Sequence, residues 1–368
     1  MDGDEVPGKA TSEPLLVELL DVQLELPWDL EFLPDDSILV TQQRGEVKHV
    51  RDGETRLVLQ LQPFVAVQTG LLGLAVDPAF TSNRFVYLYY TYARDEQTDR
   101  HVFNRISRFT FTGQQLEAET ILLNAIPGSF DHSGGRLEFG PDGKLYATTG
   151  DADRAFQTAD IEFLGGKVLR MNTDGSPPAD NPHPGSLVYS RGHRNPQGMA
   201  WRPDTDELFT SEHGPIRDDE INRVEPGNDY GWGKFACRKR WKAEGLGKLL
   251  VLFGSTGFGG WNGYPFPGGL CRDVDHGTKR DDFRSGEGTP WFDSLFVATL
   301  RGSHLRRYRF SESSEPILFE VFLRRSDASC DGCNASVGLR LRDVEFHEGS
   351  LYVIGQAKGL VRISPRGL

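Results

Sequence analysis

Positive charge, sulfur and long apolar runs are all scarce in this chain of 368 residues. Lys and Arg number 41 against 53 Asp and Glu, a formal net charge of −12. A surface of that sign repels phosphate backbones, which argues against nucleic acid as a partner. No window offers about 18 uninterrupted apolar residues, so no membrane-spanning helix is expected. Cysteines number four, and only Cys330 and Cys333 have ligand-like spacing. Cys237 and Cys271 lie far upstream, so a zinc site, a disulfide and reduced loop thiols all stay open. Residues 1–13 are polar and acidic, with no basic stretch leading into an apolar one. They do not read as a secretory signal, which leaves a cytoplasmic protein or a trimmed exported form. Sustained helical periodicity is missing too, and that counts against an α/β barrel.

What the chain has instead is turn chemistry. Gly 42 and Pro 21 suit a fold with many reversals, and 38% hydrophobic residues suffice for a large core. A turn followed by a short β-rich run recurs six times. The copies are Pro34-Asp-Asp-Ser-Ile38, Asn83-Arg-Phe85, Pro141-Asp-Gly-Lys-Leu145, Pro203-Asp-Thr-Asp-Glu-Leu208, Phe292-Asp-Ser-Leu295 and Glu348-Gly-Ser-Leu351. Asp, Gly and Pro favour the turn, and the β-branched and aromatic residues that follow fit a pleated surface. The steps from Ile38 to Leu351 are 47, 60, 63, 87 and 56 residues. Those are blade spacings with loop insertions, so the expectation is an all-β, six-bladed β-propeller. A polar tail, 1–14, precedes one propeller domain, 15–368. Residues 15–24 are read as the outer strand of the last blade, closing the ring and leaving no sheet edge open. Residues 235–290, rich in Gly, Arg and Lys, are an atypical region in which the fifth blade begins.

Chemistry-bearing residues gather in the turns. They include Gln68-Thr-Gly-Leu-Leu-Gly73, Asp131-His132-Ser-Gly-Gly-Arg-Leu137 with Asp151, and Gly192-His-Arg194-Asn195-Pro-Gln197-Gly198. Others are Glu212-His-Gly214-Pro215 with Asp219-Glu220-Ile-Asn222, Gly227-Asn-Asp-Tyr230-Gly-Trp232, and Arg301 with Arg340-Leu-Arg342-Asp343. Singly, each has a plain structural reading. A Gly-Leu-Leu-Gly run suits close packing, a histidine beside glycines suits a turn, and acidic runs are usually solvated.

Together these strings resemble the soluble quinoprotein glucose dehydrogenases and the related aldose sugar dehydrogenases that use pyrroloquinoline quinone (PQQ). The resemblance covers about Trp28–Tyr230 and Phe292–Ile363. It implies a six-bladed propeller, in agreement with the repeat. It also implies oxidation of the C1 hydroxyl of an aldose to a lactone, with PQQ and calcium as cofactors. His132 then matches the general base, with Asp151 as the carboxylate that orients its ring. Asp131 matches a substrate-contacting position, and Gln68, Arg194, Asn195 and Gln197 match cofactor contacts. Arg301, Arg340 and Arg342 would meet the three carboxylates and quinone of PQQ. Arg301 stands where the glucose enzymes carry a lysine. The Gly214 and Pro215 carbonyls match calcium ligands, and Glu220 and Tyr230 match a further calcium site.

The resemblance fails in one place. The blade-five segment with a tryptophan and threonine that packs on PQQ has no counterpart between Phe235 and Pro290. Partners implied are a small sugar and an external electron acceptor (a quinone, dye or small redox protein), acting on a monomer or homodimer. The family location is periplasmic or extracellular. A propeller that only binds a protein partner, and a calcium-dependent lactonase, are the competing readings.

Overall fold

The computed structural model describes residues 9–10, 15–94, 101–202, 205–214, 220–233, 249–250, 274–275, 277–278, 294–299, 305–310, 316–322, 341–355 and 359–365. Pro215, Arg301, Arg340, the four cysteines and most of 235–290 lie outside them. The fold is an all-β propeller. Among the described residues the strands form six sheets. The first three begin at Pro27–Phe32, Leu71–Val76 and Gly134–Phe139 and continue in chain order, and in the fourth Pro196–Arg202 leads the same order while Gly277–Thr278 pairs in parallel with its other edge. A fifth is built on Ser294–Thr299, Leu305–Phe310 and Pro316–Phe322, and Lys9–Ala10 adds to it in parallel. The sixth holds Leu341–His347, Ser350–Gly355 and Leu360–Pro365. Its fourth strand is Leu15–Leu20, antiparallel to Leu360–Pro365 from Leu15↔Pro365 to Leu20↔Leu360.

The repeated turn-and-strand motif is the second strand of each sheet. Ile38, Phe85, Leu145, Leu208 and Leu351 all occupy that place, and Leu295 lies in Ser294–Thr299 beside the short strand Val274–Asp275. Second strands are flanked on both edges and covered on both faces. Leu145–Thr149 is accordingly buried at every residue. Core clusters then join neighbouring sheets: Trp28, Leu72, Tyr87, Leu137, Leu145 and Met171 belong to one of them.

The first strands Pro27–Phe32, Leu71–Val76, Gly134–Phe139, Pro196–Arg202 and Leu341–His347 pack side by side. Each carries a bulge or register shift within its first residues, such as Pro27/Asp29, Gly134/Leu137 and Leu341/Asp343. A bulge ends regular pairing and re-aims side chains, so at this one end the chain can turn loops across the neighbouring strands. Behind the bulges the first strands are tied by a buried ion cluster. Arg136 Nη1 pairs with Asp29 and, at 3.1 Å, with Asp343, while its Nε donates to the Gln197 carbonyl at 3.0 Å. Asp29 in turn accepts the Leu74 N–H at 2.8 Å.

Lys167 begins the strand Lys167–Met171 and is fully buried. Its amine donates to the Thr158 and Gly165 carbonyls at 2.8 and 2.7 Å, which a neutral amine can also do. Burial pushes that amine down to about 7. Between there and the ordinary lysine value near 10.4, the unfolded chain binds more protons than the native one, so stability rises with pH. From pH 7 to pH 9 the wild type should gain about 1–2 kcal/mol relative to Lys167→Met, whose stability lacks this slope. Urea unfolding of both proteins at the two pH values checks it. Parallel pH profiles would refute the assignment.

Candidate active site

His132 sits in the turn before Gly134–Phe139, in the left-handed region at φ +54°. Ala152 and Asp153, in the turn after Leu145–Thr149, are left-handed as well, at φ +52° and +56°. Such conformations in residues other than glycine cost energy and persist only where surrounding contacts enforce them. The two turns are pressed together. A Cβ on Gly150 would stand 1.7 Å from the His132 carbonyl oxygen, so only glycine lets Asp151 come this near.

The outcome is a histidine with both ring nitrogens engaged. Nδ1 lies 2.8 Å from Asp151 Oδ1 and 3.2 Å from Asp153 Oδ1. Arg194 Nη2 donates to Nε2 at 2.8 Å. A guanidinium only donates, so Nε2 must accept and Nδ1 carries the proton. Asp151 is buried and accepts two further bonds, from the Asp153 N–H at 2.9 Å and from Trp232 Nε1 at 2.6 Å. Asp153 is half exposed, and Ser129 Oγ donates to its Oδ2 at 2.7 Å. The His132, Asp151 and Asp153 donor atoms lie close enough to hold an ion.

The segments flagged in the sequence converge here. Gln68 Oε1 accepts the His132 backbone N–H at 3.2 Å and Asn195 Nδ2 at 2.8 Å. Asn195 Oδ1 accepts the Gly134 N–H at 3.0 Å. Arg194 is fixed from behind, its Nη1 donating to the His213 carbonyl at 3.0 Å. Its Nε is buried with no hydrogen-bond partner among the described residues. Asp131 is half-buried next to His132, its N–H donating to Ser129 Oγ at 3.2 Å. Gln197 is set deeper, accepting from His213 Nε2 at 2.9 Å. Arg342 is buried at the bulge that opens its strand and has contacts of its own.

The residues expected around calcium are less closely joined. Gly214 is half-buried at the end of the Glu207–Glu212 segment. Glu220 begins its strand and accepts from Asn222 Nδ2 at 3.2 Å. Tyr230 donates its hydroxyl to the Arg223 carbonyl at 2.6 Å and stacks on His193 at 4.6 Å. Burial raises the Tyr230 phenol well above its ordinary range, so the hydroxyl stays protonated.

Sequence reasoning passed over three participants: Asp153, Trp232 and Glu212. Glu212 pins the whole 193–195 turn, accepting from His193 Nδ1 at 3.0 Å, from the Asn195 N–H at 3.3 Å and from the Arg194 N–H. Each stood inside or beside a flagged string. What was lacking was any sign of which atom faced which.

The chain matches the family described as Glucose / Sorbosone dehydrogenase over residues 24–249. It is 36% identical over 264 residues to quinoprotein glucose dehydrogenase B of Acinetobacter calcoaceticus. That match takes in 63% of this chain and 55% of the relative, so the chain spans about half of that protein's length. The structure of a glucose dehydrogenase, described as a putative oxidoreductase, from Thermus thermophilus superposes with a TM-score of 0.75 at 31% identity, covering 95% of this chain and 100% of that one. The PQQ-bound aldose sugar dehydrogenase of Streptomyces coelicolor gives a TM-score of 0.70 at 28% identity, over 96% and 99%.

Proposed function

The chain belongs to the Glucose / Sorbosone dehydrogenase family, and from that premise we propose that it is a PQQ- and calcium-dependent aldose dehydrogenase. The six sheets are read as a six-bladed ring closed by Leu15–Leu20, with the site at the bulged ends of the first strands. The sugar loses its C1 hydroxyl proton and the C1 hydride, leaving the C1 carbonyl of a lactone. PQQ, with calcium also held, would supply a quinone able to accept that hydride with its two electrons, for passage to an external acceptor.

The observation that carries this reading is the His132–Asp151 pair. Asp151 holds Nδ1–H inward and leaves the Nε2 lone pair to receive the hydroxyl proton. In the structure Arg194 Nη2 caps that lone pair, so the hydroxyl reaches it only when the guanidinium moves off. The donor set also fits an anionic cofactor. Arg194 has a buried Nε without a partner among the described residues, Gln68 and Asn195 present amides beside it, and Arg342, Arg340 and Arg301 would add charge. Asp131, half-buried next to His132, would accept from a sugar hydroxyl. The Gly214 and Pro215 carbonyls, with Glu220 and Tyr230 at a second position, are the hard oxygen donors calcium takes.

The test is a titration of PQQ with Ca²⁺ into the purified protein. Expected are a shifted quinone absorption band, a higher melting temperature and glucose-dependent dye reduction, since a ligand of the folded state stabilises it. Arg194→Ala should bind PQQ about ten- to a hundredfold more weakly, the scale of one lost charge-assisted contact. A wild type whose melting is unmoved by PQQ and Ca²⁺ would end the dehydrogenase reading and favour the binding propeller.

A further inference from the structure

Trp232 closes a turn that is fastened to the segment before Asn195. The Arg191 N–H donates to the Asn228 carbonyl at 3.0 Å, and the Tyr230 and Trp232 N–H groups donate to the Arg191 and Gly192 carbonyls, both at 2.8 Å. Thr158 Oγ1 donates to the Trp232 carbonyl at 2.7 Å. The indole is therefore held firmly, and it is half-buried between two groups of the site. Its Nε1–H donates to Asp151 Oδ2 at 2.6 Å, and its ring lies 5.5 Å from the Arg194 guanidinium carbon.

Asp151 Oδ1 already serves two donors, the His132 ring and the Asp153 N–H. The indole is the donor that holds Oδ2, and without it the carboxylate is free to turn about its last torsion, which is soft. A rival acceptor stands ready. Asp153 Oδ1 is 3.2 Å from the same Nδ1 and lies toward solvent. A rigid aromatic donor on Oδ2 keeps Asp151 turned to His132 and keeps the ring from swinging outward to Asp153.

We propose that Trp232 is a positioning residue that acts through Asp151 to select Asp151 over Asp153 as the partner of His132. The consequence for turnover rests on the sugar-oxidation reading, whereas the geometry of the selection does not. Among the described residues, the charged groups against the His132 ring are Asp151, Asp153 and the Arg194 guanidinium.

Trp232→Phe removes the N–H and keeps a ring beside Arg194. In holoenzyme its turnover of glucose should fall about tenfold with KM changed less than about twofold, the scale of one hydrogen bond to a charged group. Adding Asp153→Ala, which deletes the rival, should return most of the lost turnover, an effect that mere packing by Trp232 does not produce. In cofactor-free protein carrying ¹⁵N-histidine, the His132 Nδ1–H resonance should be single in wild type and split or shifted in Trp232→Phe. An unchanged resonance in the folded variant overturns the proposal whatever the activity. Turnover that Asp153→Ala does not restore also overturns it. If wild type oxidises no aldose, the reading of the reaction fails, and the resonance still decides the positioning role.

Discussion

His132→Ala should turn over aldoses roughly 10²–10⁴-fold more slowly than wild type, the usual range for losing a general base. On the proposed reading PQQ binding should survive, because its cationic and amide donors would be Arg194, Gln68 and Asn195. The proton has one evident destination. Nδ1 is committed to Asp151, and Nε2 is the ring's remaining lone pair. Alanine also leaves a residue at φ +54°, where a plain side chain is strained. His132→Asn is the better control, since asparagine tolerates the left-handed region and cannot act as the base. Both variants should lose turnover alike while the melting shift with PQQ and Ca²⁺ is kept. Single-turnover rates with glucose and a dye measure the step. Near wild-type rates in the asparagine variant would remove His132 from the reaction.

The sheets were legible because their turns are local. Pro141-Asp-Gly-Lys144 folds on itself, with the Lys144 N–H on Asp142 Oδ1 at 3.0 Å, and the apolar run that follows needs no distant information to become a strand. The turn that carries His132 was legible for a similar reason, since the two glycines after Ser133 signal an open turn. Its supporting shell was not. Trp232 reaches Asp151 across 81 positions and Arg194 reaches His132 across 62. Asp153 comes near only because two successive residues adopt left-handed conformations. Nor does alternation along a strand foretell a bulge. The shift in register between Leu341 and Asp343, beside the buried Arg342, is such a case.

Arg136→Met should destabilise the protein by about 3–5 kcal/mol near pH 8, the range for removing one partner from a buried ion pair. Arg136 is 1% exposed, and Asp29 and Asp343 are 2% and 0% exposed. The guanidinium also lies 4.7 Å from the Trp28 ring. It joins the first strand of one sheet to those of two others through Asp29 and Asp343, and to a fourth through the Gln197 carbonyl. Two residues farther along the same strand faces, Glu31, Glu138 and Glu345 bring carboxylate oxygens within 4.8 Å of one another. Loss of the Arg136 cation therefore leaves the Asp29 and Asp343 carboxylates without the charge they share. Burial already holds the Asp29 carboxyl well above its ordinary range, with Arg136 pulling against that shift. Without Arg136 the native state favours protonated Asp29 more strongly. Native protein then binds more protons than unfolded chain, so the variant's stability falls as pH rises above the ordinary aspartate value near 3.9. The deficit against wild type should accordingly be smaller at pH 5 than at pH 8. Urea unfolding of both proteins at the two pH values measures it. A deficit that is small, or equal at both pH values, would show that Arg136 does not carry the charge balance of this cluster.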